Sequence, residues 1–121
     1  MLKKLFSAVL LVVFILSGTS TALAAGAKAS PYRECVRKAN KTHNNTIKQA
    51  LKNYQKAMND ARSTRDEAVK KARENKDEAA AKKAIKDYNE AVRQADAEHK
   101  SAVQKAADEL HTSLQKCKKL K

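Results

Sequence analysis

The sequence predicts an all-α fold: an antiparallel two-helix hairpin, coiled-coil-like with an eleven-residue (hendecad) repeat, closed by one disulfide and preceded by a signal peptide. Three observations predict it. First, from Val36 to Ala72 apolar residues recur every eleven positions, in the columns Val36, Ile47, Met58, Val69 and Ala39, Ala50, Ala61, Ala72, with Tyr32, His43, Tyr54 and Arg65 alongside. Eleven residues make three turns at about 3.67 residues per turn, so each column keeps to one side of a helix. The spacing returns as Ala81, Val92, Val103, Leu114, as Ala84, Ala95, Ala106, Cys117, and as Tyr88, His99, Leu110.

Second, the two halves are out of phase, because Val69 to Ala81 is twelve positions. An unbroken helix would carry its stripe around by about 100° there, so a break falls within residues 73–80. Third, the columns match as facing layers whose residue numbers add to 153: Val36 with Cys117, His43 with Leu110, Tyr54 with His99, Arg65 with Tyr88, and Ala72 with Ala81. Large mostly faces small, which lets two helices approach closely.

In chain order, residues 1–24 read as a secretory signal. Lys3 and Lys4 form the positive start, Leu5 to Leu16 is an apolar run of twelve, and Ala22 and Ala24 suit cleavage after Ala24. The run is short for a membrane span, which needs roughly 20 residues; retention as an anchor is the alternative. Export places the two cysteines where thiols oxidise, so Cys35 and Cys117 are expected to pair across the open end of the hairpin.

Residues 25–30 form a flexible lead-in that ends in Ser30-Pro31, an N-cap followed by proline at the first helical position. The hairpin then occupies residues 31–121, as helix 31–74, turn 75–77 and helix 78–119. After Pro31 the sequence contains neither Gly nor Pro, and strong helix formers dominate. The pairs Asp66–Lys70, Glu67–Lys71, Glu78–Lys82 and Asp96–Lys100 have the spacing of surface ion pairs. Residues 40–46 are the poorest helix formers in the first arm, yet the columns pass through them without slipping. Two glycosylation-type sequons there, at Asn40 and Asn44, are read as chance matches beside a bacterial-looking signal. In the turn, Asn75 is expected to take the left-handed conformation and Asp77 to cap the second helix.

The formal charge is +13, and it is unevenly spread. Residues 25–56 hold eight basic side chains against Glu34 alone, residues 57–99 hold ten of each sign, and residues 100–121 hold six basic against Asp108 and Glu109. Folded as a hairpin, the surplus collects at the cysteine end. Arg33, Arg37, Lys38 and Lys41 come beside Lys116, Lys118, Lys119 and Lys121, an expected anion-binding patch. A basic cluster attracts anionic surfaces or polymers with strong salt dependence.

No catalytic constellation, phosphate loop or metal-ligand spacing is present, so neither an enzyme nor a cofactor is expected. His43 and His99 lie on the seam without a third ligand, and packed imidazoles are the simpler reading. Arg65 opposite Tyr88 suggests a guanidinium stacked on a ring, its head reaching water or an acid such as Glu67 or Asp87. The functional expectation is an exported, non-enzymatic hairpin that binds an anionic membrane surface or envelope polymer. A periplasmic-type holdase or assembly factor for unfolded clients is the alternative. Extracellular nucleic-acid binding is disfavoured, since both Phe lie in the signal and no stacking platform is visible. Pairing with a second copy, cysteines bridged between chains, shares the same layers.

Overall fold

The computed structural model describes residues 29–121; the signal segment 1–24 and residues 25–28 of the lead-in lie outside the described residues. Two helices pack against each other, α1 (Pro31–Glu74) and α2 (Glu78–Lys118). The Cys35–Cys117 disulfide joins the start of α1 to the end of α2 within one chain, with its Cα atoms 5.6 Å apart. The helices are therefore antiparallel.

At the α1 start, Ser30 Oγ accepts from the Arg33 N–H at 3.3 Å. Pro31 follows at a position where no amide donor is needed. Residues 40–46 are helical throughout, because a helix carrying a buried face on both sides of a weak stretch holds it in register. Thr46 Oγ1 donates to the Thr42 carbonyl at 3.0 Å.

The turn differs from expectation in one residue. Asn75 is right-handed, with φ −88° and ψ 0°, and Lys76 takes the left-handed conformation at φ 53°. The Asp77 N–H reaches the Ala72 carbonyl at 2.8 Å, and the Lys76 N–H the Arg73 carbonyl at 3.1 Å. This is a Schellman ending, which puts the positive φ one position beyond the last right-handed residue. Asp77 Oδ1 accepts from the Ala80 N–H at 2.9 Å and opens α2. At the other end, α2 stops at Lys118, and Lys119 is its C-cap, with its N–H on the Lys116 carbonyl.

Every residue of the six columns is at least half-buried. The fully buried ones are small: Ala50, Ala72, Ala84, Ala95, Ala106 and Cys117. A further column on each helix joins the inward face, Cys35, Thr46, Ala57, Ala68 on α1 and Ala80, Ala102, Ser113 on α2. Its members face partners whose numbers add to 152, the register of the disulfide itself. Each helix thus has two unlike edges. One edge is small (the Cys35 and Ala80 columns), and the other is aliphatic, with Val36, Ile47, Met58, Val69 on α1 and Val92, Val103, Leu114 on α2.

None of the four expected ion pairs forms among the described residues. Asp66 is taken by Arg65 Nη2 at 2.8 Å, and Asp96 accepts from the Tyr54 hydroxyl at 2.8 Å. Glu67 and Glu78 are exposed to water. The pairs that do form include Glu34–Lys38 at 3.4 Å, Lys56–Asp60 at 2.5 Å and Lys83–Asp87 at 2.6 Å. All are exposed and contribute a few tenths of a kcal/mol each.

Candidate functional site

The cysteine end gathers the chemistry worth considering. The bond holds the first and last turns together, and Lys121 Nζ lies 4.9 Å from the centre of the Tyr32 ring. Cys117 is wholly buried. A groove of about 730 Å³ opens beside the disulfide on the small edge. Ala39, Ala106, Leu110 and the cystine line it, together with the hydroxyls of Thr42, Thr46, Thr112 and Ser113 and the side chains of Lys38, Lys105, Lys116, Asp108 and Glu109.

The eight basic residues predicted as one patch are divided by this geometry. Lys38 and Lys116 share the groove. At 100° per residue, Arg33, Arg37 and Lys118 point to the opposite, aliphatic side, while Lys41 and Lys119 lie on the outer backs of the helices. They form a collar around the tip. Glu34 tempers it, lying 3.9 Å from Arg37 and 3.4 Å from Lys38. Lys105 and the four hydroxyls were not singled out from sequence. For Thr46 and Ser113 the signal was the period of eleven, in the steps Cys35 to Thr46 and Ala102 to Ser113; Thr42, Thr112 and Lys105 lie outside those columns.

The charge is also divided along the rod. Beside the aliphatic edges lie Arg33, Arg37, Lys48, Arg62, Lys70 and Arg73 of α1 with Lys82, Arg93, Lys100 and Lys118 of α2, against Asp66, Glu78 and Asp96. Beside the small edges lie Lys38, Lys56, Lys71, Lys83, Lys105 and Lys116, against Glu34, Asp60, Glu67, Asp87, Glu90, Glu98 and Glu109. One side is strongly basic and the other balanced. Val69, Lys70, Arg73 and Ile85 line one groove on the basic side, with Arg65, Asp66 and Glu74.

Within the seam, the Tyr54 and His99 rings are 5.0 Å apart and tilted by 38°. The His99 Nδ1 is buried without a hydrogen-bond partner among the described residues. His43 Nδ1 lies 3.2 Å from the Ala106 carbonyl; a carbonyl only accepts, so this nitrogen carries the proton. The Arg65 guanidinium stacks 4.5 Å from the centre of the Tyr88 ring. Its acid is Asp66, not the expected Glu67 or Asp87, because the neighbouring carboxylate reaches the head without leaving the ring face. Among the described residues no group of His, Cys, Asp and Glu is arranged to hold a metal ion, and no helix is long and apolar enough to cross a membrane.

Donation to Asp96 raises the Tyr54 phenol above its ordinary value of 10.0, with partial desolvation and the Asp96 charge acting in the same direction. A raised folded-state value stabilises below the unfolded value, and that stabilisation is lost as pH rises through the folded one. Wild type is therefore expected to melt above Tyr54→Phe at about pH 9, and the gap to narrow as pH rises beyond the ordinary phenol value of 10.0. Melting curves of both proteins across that range check this, and a constant gap counts against it.

No protein-family model, curated protein or solved structure matches the chain. Functional inference therefore rests on geometry and charge.

Proposed function

We propose that this is an exported, non-enzymatic helical hairpin, released from its signal by cleavage after Ala24, whose basic, disulfide-closed end binds an anionic component of the cell envelope. The observation that carries the reading is the Cys35–Cys117 bond, which sets the basic start of α1 beside the basic end of α2. An oxidised cysteine pair suits a non-reducing compartment.

Each arm is about 60 Å long at 1.5 Å per residue, several times the Debye length of about 8 Å in physiological salt. A ligand at the tip therefore feels the collar and little of the balanced turn end. Among the described residues the groove beside the disulfide is open to solvent, unlike the enclosed cavities in which catalysis ordinarily sits, and stacked or hydrogen-bonded groups occupy the centre of the seam.

Reversing Lys116, Lys118 and Lys119 to Glu is expected to weaken retention on anionic envelope fractions at least about tenfold, and to flatten its dependence on salt. Retention measured at low and high ionic strength tests this. Unchanged retention would sink the reading.

A further inference from the structure

The aliphatic edge is the least explained part of the surface. Its two columns are only half-buried, and Leu51 and Ile85 beside them are 46% and 50% exposed. A soluble anionic polymer has no use for such an edge. A second copy docked face to face would bring two strongly basic sides together, which like-charge repulsion opposes. Burying the edge while neutralising its flanks requires one surface that is both apolar and anionic.

We propose that the hairpin lies lengthwise on an anionic phospholipid bilayer, with its aliphatic edge entering between the headgroups and the flanking bases on the lipid phosphates. This rests on the reading above that the partner is anionic, narrows that partner to lipid, and extends the contact from the tip along the whole rod. Three observations converge on it.

The first is the sorting of charge: ten basic side chains against three acidic ones flank the aliphatic edges, while six against seven flank the small edges. The second is ion pairing. Among the described residues, Arg37 alone of the ten bases on the basic side lies within 4 Å of a carboxylate, whereas Lys38, Lys56, Lys83 and Lys105, four of the six on the other side, are paired. Unpaired bases are available to phosphates without first giving up a partner. The third is the groove near the turn, which Val69 and Ile85 line together with Arg65, Lys70 and Arg73, against Asp66 and Glu74. Aliphatic side chains and an excess of bases share one groove there, the combination found on helices that rest in the membrane interface.

The test uses the oxidised chain in the form the cell exports, sedimented with phosphatidylglycerol vesicles, phosphatidylcholine vesicles, or polyphosphate as a soluble anionic polymer. Wild type is expected to bind phosphatidylglycerol and to leave phosphatidylcholine in solution. Leu51→Gln with Ile85→Gln, both exposed and so neutral to the fold, should weaken phosphatidylglycerol binding about tenfold and leave polyphosphate binding unchanged. Leu120→Gln, equally exposed at 51% but off this face, should change neither.

A charge-matched pair of variants separates the side from the tip. Arg62→Gln with Arg73→Gln should weaken vesicle binding severalfold, and Lys56→Gln with Lys71→Gln, at the same height on the other side, should not. Equal effects from the two pairs, or wild-type binding by the Leu51 and Ile85 variant, overturn the proposal. If reversal of the tip lysines still weakens both anionic ligands in that case, the tip reading stands alone. Binding to neither ligand overturns both readings. Suppression of the aggregation of a reduced test protein, with no vesicle binding, overturns the lipid assignment and gives the face to unfolded chains.

Discussion

Reduction of the Cys35–Cys117 bond, or Cys35→Ser together with Cys117→Ser, is expected to remove about 4 to 5 kcal/mol of stability, the loop-closure value for a separation of 82 residues. Few proteins of this size can lose so much, since small domains fold by about 5 to 15 kcal/mol. This one has less to spare than most. Among the described residues the fully buried side chains are five alanines and the Cys117 sulfur, so the seam removes little apolar surface from water, and small scaffolds of this kind depend on a covalent staple. Circular dichroism of the oxidised and reduced chains should show the melting midpoint falling by at least about 20 °C. Residual helicity without a cooperative transition is the expected reduced state, because 44- and 41-residue helices rich in Ala, Lys and Glu retain local structure after their seam opens. A reduced chain that melts within a few degrees of the oxidised one would show that packing alone holds the hairpin.

Much of this architecture can be read from one-dimensional arithmetic. A period of eleven fixes which residues share a side, a one-residue slip fixes where the chain reverses, and a constant sum fixes who meets whom. Tyr54 against His99 and Arg65 against Tyr88 follow from those rules. What escapes them is of three kinds. The small edge is hidden because Cys35, Thr46, Ala57 and Ala68 offer no contrast in polarity with their surroundings, although they keep the same period. The turn residue is hidden because Lys76 has no intrinsic preference for positive φ; the geometry of the Schellman ending imposes it. Side-chain partners are a third matter of detail. Asp66 and Asp96 have correctly spaced lysines, but each is captured by a group on the seam, Arg65 and the Tyr54 hydroxyl.

The candidate site divides along the same line. That the basic residues collect at the cysteine end follows from segment charges once the hairpin is assumed. That they form a collar, with the remaining surplus sorted to the aliphatic side, depends on knowing which column forms which edge. The large and small columns must be told apart in space before Arg62 and Lys56, six residues apart, can be assigned to opposite sides.

Ala106→Leu is expected to cost about 2 to 3 kcal/mol and to lower the melting midpoint by about 15 °C. Ala106 is 2% exposed, and its carbonyl lies on His43 Nδ1, so three added carbon atoms have nowhere to go without pushing α2 away from α1 and stretching that hydrogen bond. Ala97→Leu, on the exposed back of α2, serves as the control, since Ala and Leu differ little in helix propensity and a surface change of this kind is close to neutral. The layer rule then makes a sharper demand. Ile47 is the residue whose number completes 153 with 106, so Ile47→Ala should relieve the crowding and recover more than half of the loss in the double variant. Met58→Ala, one repeat further along the same column, should recover none and add its own cost. A coupling confined to the 47–106 pair measures the register directly; equal behaviour of the two double variants would mean that the helices slide past one another and that small faces large only on average.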